Sequence, residues 1–243
     1  MNVYPVNALE AATLISAEKA PHSLMVDLHN RYIDFQVDFT ANEITIIGSW
    51  NGVIPVNAFI IGNSNAHSGK VQFISDNEIL FSQEFAVNEF LKIIQVKDNF
   101  DRLDIKHINN FILTLQGTED ISIGYIYIGE TWELPRFVVG PISGLNLRNE
   151  SGRTFSGQTT GVSTEPLRNF GCEFVRIDNE SKKRFDDYIN GVQKVIPHVI
   201  DPYPEAHEEF EPFFATVQDY QDKEKRNEPR FYWNFSCSWM EAK

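Results

Sequence analysis

At 243 residues, with 42% hydrophobic and 13% aromatic side chains, the chain can bury one large core or two modest ones, unlike the polar, aromatic-poor composition of a disordered chain. Its net charge of −13 argues against nucleic acid as a partner, because neutralising phosphates needs basic patches. No apolar run reaches the roughly 18 residues of a spanning helix. The opening MNVYPVNALEAATLISAEKA has neither a basic start nor a long apolar stretch, so the expectation is a soluble chain without a secretory signal, made in a cytosol.

Charge is uneven along the chain. Arginine stands only at 31 and 102 before residue 131 and at eight positions after it, which points to a boundary near residues 130–140. Before that boundary the pattern is short strands with turns between them. Residues 32–39 (YIDFQVDF) alternate, placing Ile33, Phe35, Val37 and Phe39 on one face of a half-buried strand. NEITII at 42–47 predicts the next strand, and GSWNG, with Asn51-Gly52, predicts a tight turn. Strands follow at 56–61 (VNAFII), 71–74, 79–85, 90–96, 111–115 and 121–128. About eight strands near ten residues apart, with no long helix, predict an antiparallel β-sandwich or jelly roll over residues 1–134.

The most particular stretch of this first part is the polar loop at 62–70, with glycine at both ends. Asn63, Asn65, His67 and Ser68 either present hydrogen-bonding groups to a ligand or satisfy their own backbone. Trp50 likewise reads either as a stacking surface for a sugar or as a residue packed in the turn. The run from Ile44 through Ile61 into IGNSNAHSGKVQF resembles the galactose-binding-like, discoidin-type jelly roll of bacteriophage and prophage tail proteins, over about residues 35–130. That family carries a Gly-His-Asn or similar triplet at the strand end. This chain has Gly62-Asn63-Ser64 there, without the histidine, and keeps the continuation NAHSGKV at 65–71.

The second part, residues 135–243, reads as a smaller α+β module with one helix. Gly129, Trp132 and Pro135 form a hand-over, with Trp132 read as a packing residue rather than a ligand platform. A hairpin is expected from Leu145–Leu147 and Arg153–Phe155 around Asn149–Gly152. SGQTTGVSTE at 156–165 reads as an exposed loop or an edge for another copy, and 172–177 as a strand. Asp178-Asn179 cap a helix through Val192, with Phe185, Tyr188, Ile189 and Val192 on its buried face and Lys182, Lys183, Asp186 and Asp187 solvated. A short strand follows at 199–201; residues 205–228 are charged and ambiguous. The closing strand sets Phe231, Trp233, Phe235, Cys237 and Trp239 on one face, which must lie inside a sheet. The order of these elements and the ending FYWNFSCSWMEA are similar to phage distal-tail and tail-tube proteins.

Catalytic motifs are absent: no G-x-S-x-G, P-loop, G-x-G-x-x-G or H-E-x-x-H occurs, so no enzyme activity, catalytic residue or metal site is expected. The cluster Glu205, His207, Glu208, Glu209 and Glu211 lacks metal-ligand spacing and reads as a solvated acidic face. No cofactor is expected; a structural calcium ion would find only the loosely placed Asp38, Glu43, Asp98 and Asp101. Cys172 and Cys237 read as two buried strand residues, with a single bridge as the alternative.

Two functional expectations follow. The resemblance implies a virion structural protein of a phage tail tip or baseplate, made in the host cytoplasm and forming a homo-oligomeric ring that joins neighbouring tail proteins. Its assembly contacts would be Trp132, Phe231, Trp233, Phe235 and Trp239. The alternative is a carbohydrate-binding module that attaches its owner to a cell-surface glycan through Trp50, Asn63, Asn65 and His67.

Overall fold

The computed structural model describes residues 1–29, 36–135, 139–146, 149–153, 159–163, 167–192, 196–204, 211–223 and 232–242. These form two compact units, Tyr4–Trp132 and a second built from Met1–Val3 with Glu133–Ala242. Both are mostly β and antiparallel, and α1 of the second unit is the one α-helix among the described residues. The sequence placed residues 1–134 together. The first three instead belong to the second unit, where β1 (Asn2–Tyr4) has its sheet partners.

The first unit is a sandwich of two sheets. Its strands are β2 (Thr13–Ile15), β3 (Val37–Asp38), β4 (Glu43–Val56), β5 (Ala58–Ser64), β6 (Ser68–Ser75), β7 (Glu78–Ala86), β8 (Leu91–Gln95), β9 (Lys106–Gln116) and β10 (Ser122–Gly129). One sheet has the order β2-β4-β9-β6-β7 and the other β3-β10-β5-β8. Strict alternation drives this: Ile44 and Ile46 of β4, Val71 and Phe73 of β6, and Phe111, Leu113 and Leu115 of β9 all point inward and are buried. They pack against Phe59, Ile61, Ile94, Ile126 and Ile128 of the other sheet in one core. Each such side chain removed from water contributes roughly 1.5–3 kcal/mol. Before β3 the chain is held by β2 on the edge of β4 and by a buried side chain. Asn7 donates through Nδ2 to the Ile126 carbonyl at 2.7 Å, while its Oδ1 accepts the N–H groups of Leu9 and Ile128.

One local expectation is corrected. Asn51-Gly52 is not a turn; it lies inside β4. Ser49 pairs with Asn110 and Ile54 with Ile108, so residues 50–53 stand opposite Asn109 alone. The long partner strand β9 holds β4 on both sides, and the extra residues are absorbed as a wide bulge. The tight turn falls instead at Asp76-Asn77, whose φ angles of 49° and 70° suit a two-residue hairpin between β6 and β7. Of the strand expected at 32–39, residues 36–39 are described and contain β3, with Val37 and Phe39 buried, while Ile33 and Phe35 fall outside the described residues.

In the second unit, β11 (Trp132–Glu133), β12 (Val139–Asn146), β13 (Asn149–Arg153), β14 (Thr159–Ser163), β15 (Leu167–Ile177), α1 (Asn179–Val192), β16 (His198–Asp201), β17 (Phe213–Lys223) and β18 (Trp233–Glu241) follow in order. The main sheet runs β11-β1-β16-β17-β18-β15-β12, and β13 and β14 pair separately. The expected hairpin from 145–147 and 153–155 therefore does not form: Leu145 and Asn146 pair with Arg168 and Leu167, and Asn149–Arg153 pair with Thr159–Ser163. Residues 159–163, read as a loop or free edge, are a strand with a partner in the same chain.

Helix α1 begins where Asp178 Oδ1 accepts the Ser181 N–H at 2.8 Å, an N-cap that satisfies an otherwise orphaned donor. Its apolar face is the one expected, with Phe185 4.4 Å from the ring centre of Phe235. Lys182 is a correction, being buried rather than solvated. Its Nζ reaches both Asp186 oxygens at 2.6 and 2.7 Å and Tyr220 Oη at 2.7 Å, and lies 5.1–5.6 Å from the rings of Tyr220, Trp233 and Phe235. A chain of bonds runs deeper, from Trp239 Nε1 to Tyr188 Oη at 2.7 Å and on to His198 Nε2 at 2.6 Å. Cys172 and Cys237 face each other across β15 and β18 as buried thiols, with no disulfide between them.

Candidate functional site

The residues singled out for ligand binding come together only in part. Trp50 does not take part. It is 9% exposed, its ring packs 5.7 Å from Phe111, and its Nε1 donates to the Ala8 carbonyl at 2.8 Å. The inward-facing register of β4 puts it in the core, so it offers no face to a sugar.

Asn63, Asn65 and His67 do gather, at one end of the sandwich, in a turn shorter than the sequence implied. β5 continues to Ser64 and β6 starts at Ser68, leaving only 65–67 between them. Asn63 has a φ of 47° and donates its N–H to the Phe90 carbonyl at 2.9 Å. Asn65 works inward: Nδ2 donates to the Asp120 carbonyl at 2.9 Å and Oδ1 accepts the Ser122 N–H at 2.8 Å. It fastens the β9–β10 loop and so serves its own backbone. His67 is exposed, with Nε2 3.2 Å from Thr118 Oγ1, and its carbonyl accepts the Val87 N–H at 2.9 Å.

These backbone bonds bring in a residue that sequence reading passed over. The Phe90 carbonyl is tied to Asn63 and the Val87 N–H to His67, so the β7–β8 loop lies along the polar turn. Phe90, 57% exposed, is a large apolar side chain on this loop, and His67 and Thr118 of the neighbouring turn and Glu89 next to it in the chain are exposed as well. In the sequence Phe90 looked like the first apolar residue of a strand. The available signal was its place immediately after Asn88-Glu89, where a strand has not yet begun. An exposed ring on a loop next to a polar turn can stack on the C–H face of a pyranose while the polar groups of the turn meet its hydroxyls.

The four carboxylates considered for calcium do not converge. Asp38 pairs in register with Ser122 and Glu43 with Gln116, at the polar end. Asp98 and Asp101 follow β8 at the other end. Among the described residues no group of three or more metal-ligating side chains stands together, and no helix is long and apolar enough to cross a membrane. His207, Glu208 and Glu209 lie outside the described residues.

The residues expected to make assembly contacts divide as well. Phe235 and Trp239 are 1% and 0% exposed inside the second unit, stacked on Phe174 and packed on Phe170. That is a correction: the aromatic face of β18 is filled by its own sheet and helix. Trp233 is half-buried and donates Nε1 to Asn179 Oδ1 at 2.7 Å, Trp132 is half-buried in β11, and Phe231 lies outside the described residues.

Fold and site thus define an antiparallel β-sandwich with a polar, aromatic-bearing loop end, joined to an α+β unit. The chain matches no protein-family model and no curated protein. Solved structures similar to about half of this chain include a lectin domain, carbohydrate-binding modules and a fucosidase. One is the lectin domain of lectinolysin complexed with Lewis B antigen, 8% identical, with a TM-score of 0.43 over 52% of this chain and 97% of that chain. Another is a family 32 carbohydrate-binding module from C. perfringens NanJ in complex with galactose, 10% identical, TM-score 0.42, covering 54% of this chain and 100% of that one. A fucose-binding module of Streptococcus pneumoniae is 11% identical, TM-score 0.42, covering 51% and 95%.

Proposed function

We propose that the chain is a non-catalytic recognition protein whose first unit binds glycan at the polar end of its sandwich. The observation that supports this is the exposed Phe90 ring on a loop that backbone bonds hold against the turn carrying His67. The ring supplies the stacking surface. His67 Nε2, Thr118 and the Glu119 carboxylate supply donors and acceptors for neighbouring hydroxyls. The rest of the unit is scaffold: a continuous apolar core fixes the strand ends from which these loops project. The resemblance of residues 35–130 to galactose-binding-like jelly rolls agrees with this use of the end loops.

A ring-forming role in a phage tail tip, the other expectation, would have to use faces other than those of Phe235 and Trp239, which are occupied within the unit.

The test is a glycan array probed with the intact labelled chain. The expected result is saturable binding to a subset of glycans, weakened about tenfold or more by Phe90→Ala, the equivalent of roughly 1.4 kcal/mol. Because the ring is exposed, the variant should melt with the parent. Silence on the array, or binding indifferent to Phe90→Ala, would overturn the proposal.

A further inference from the structure

At the far end of the same sandwich stands a second exposed aromatic ring, Phe100, 78% exposed. Strand β8 separates the two: Leu91, beside Phe90, pairs with Gly62, whereas Gln95 pairs with Ala58 and leads into the loop that carries Phe100. Among the described residues Phe90 and Phe100 are the exposed aromatic rings. The Phe100 loop is tied down at nearly every residue. Asp98 Oδ1 accepts the N–H groups of Phe100 and Arg102 at 2.8 and 3.0 Å, and its Oδ2 accepts Nε and Nη2 of Arg102 at 3.0 and 2.9 Å. The Asp98 N–H donates to the Arg102 carbonyl at 2.8 Å, and Asp101 takes a φ of 61° to close the turn. The Arg102 N–H, with the Phe100 N–H and the Arg102 guanidinium, holds the Asp98 carboxyl below its ordinary range, so the clamp is charged near neutral pH.

The result is a fixed loop that holds the ring out, with Arg102 over one of its faces. The Arg102 guanidinium lies 5.2 Å from the Phe100 centroid, and the other ring face is open. Beside it are two adjacent cation–carboxylate pairs, Asp98 with Arg102 at 2.9 Å and Lys97 with Asp101 at 2.9 Å. A loop that spends this many bonds on its own shape loses little entropy when something binds, which is how a rigid tip gains affinity.

We propose that this tip is a second glycan contact, taking the C–H face of a pyranose on the free face of Phe100 and its hydroxyls on Arg102, Lys97 and Asp101. The chemistry favours a sugar over a protein partner. A protein anchor sits within a larger apolar surround that excludes water. Here the ring is bordered by side-by-side donors and acceptors, the pattern that meets neighbouring hydroxyls. The proposal goes beyond the Phe90 site, and either contact can hold without the other. With both, one chain would grip a glycan surface at two points and gain avidity without any new contact.

The experiment is nuclear magnetic resonance of the intact chain, titrated with methyl β-galactopyranoside, methyl α-fucopyranoside and N-acetylglucosamine. Backbone and ring signals of Asp98–Arg102 should shift saturably with at least one of them. Phe100→Ala should weaken that shift about tenfold or more, Phe100→Tyr should retain it, and neither should alter the melting temperature. Shifts at the tip with none at His67 and Phe90 would uphold this inference and remove the Phe90 proposal. Shifts at His67 and Phe90 alone would do the reverse. No shift at either end would overturn both. Tip signals that move with protein concentration in the absence of sugar would make the ring a self-contact and overturn the inference.

Discussion

Gly48 is where the sandwich core can be tested most sharply. It lies on the inward face of β4, directly opposite Phe111 of β9, and a Cβ built there would fall within the Phe111 ring, with Cδ1 at 2.6 Å and Cζ at 2.8 Å. Real Cβ atoms do not approach other atoms this closely, so in Gly48→Ala the ring has to move. It has little room: Phe111 is fully buried and packs against Trp50. Overpacking of this kind costs about 1–3 kcal/mol. At about 4 °C per kcal/mol for a unit of this size, the first unit should melt roughly 4–12 °C lower. Gly52→Ala is the control. Nothing lies within 4 Å of its Cβ position, so its effect should stay within about 0.5 kcal/mol. Scanning calorimetry of the intact chain reads both. Shortening the ring in the same molecule should recover stability, so Gly48→Ala with Phe111→Leu should show favourable coupling of about 0.5 kcal/mol or more. A Gly48→Ala protein that melts with the parent, or a strictly additive double variant, would refute the packing described here.

Three further outcomes are expected. Burial pushes the Cys172 thiol up to about 12, so at pH 8 only about one molecule in ten thousand carries the thiolate; a thiol-specific dye should label neither cysteine until the second unit unfolds, and rapid labelling of the native chain would contradict its burial. Asp178 caps α1, so Asp178→Ala should cost about 1 kcal/mol at neutral pH. The Ser181 bonds lower its folded pKa, so that stabilisation is complete above the ordinary carboxylate value and fades as pH falls through the depressed one; parent and variant melting curves should converge in acid, and a gap independent of pH would be wrong. Lys182→Met, which keeps the buried stem among the rings, should destabilise less than Lys182→Ala; equal losses would show that the stem contributes nothing.

What the sequence made legible is what periodicity controls. Residues 44–46, 56–61, 71–74 and 111–115 announced their strands because inward and outward side chains alternate, and Asp178 with Phe185, Tyr188 and Val192 announced α1. The misreadings came from long-range pairing. Asn51-Gly52 has good turn chemistry, yet β9 pairs with β4 on both sides of it and turns it into a bulge. β17 was hidden because Gln218, Asp219, Gln221 and Asp222 make its sequence look like a charged loop, and only its neighbours β16 and β18 show it to be a central strand. Lys182 looked solvated because its charge partner, Asp186, and its aromatic cage lie one turn and two strands away. The site was half legible for the same reason. Glycine, asparagine and histidine marked the polar turn, but Phe90 joins it only through backbone bonds between two loops that are distant in sequence.

Glycan binding at the polar end requires a sugar lying across Phe90. Crystals of the intact chain soaked with the strongest glycan from the array would locate it directly. The predicted result is a pyranose stacked on the open Phe90 ring with a hydroxyl within hydrogen-bond distance of His67 or Thr118. A sugar bound elsewhere on the first unit, with the Phe90 ring bare, would contradict it.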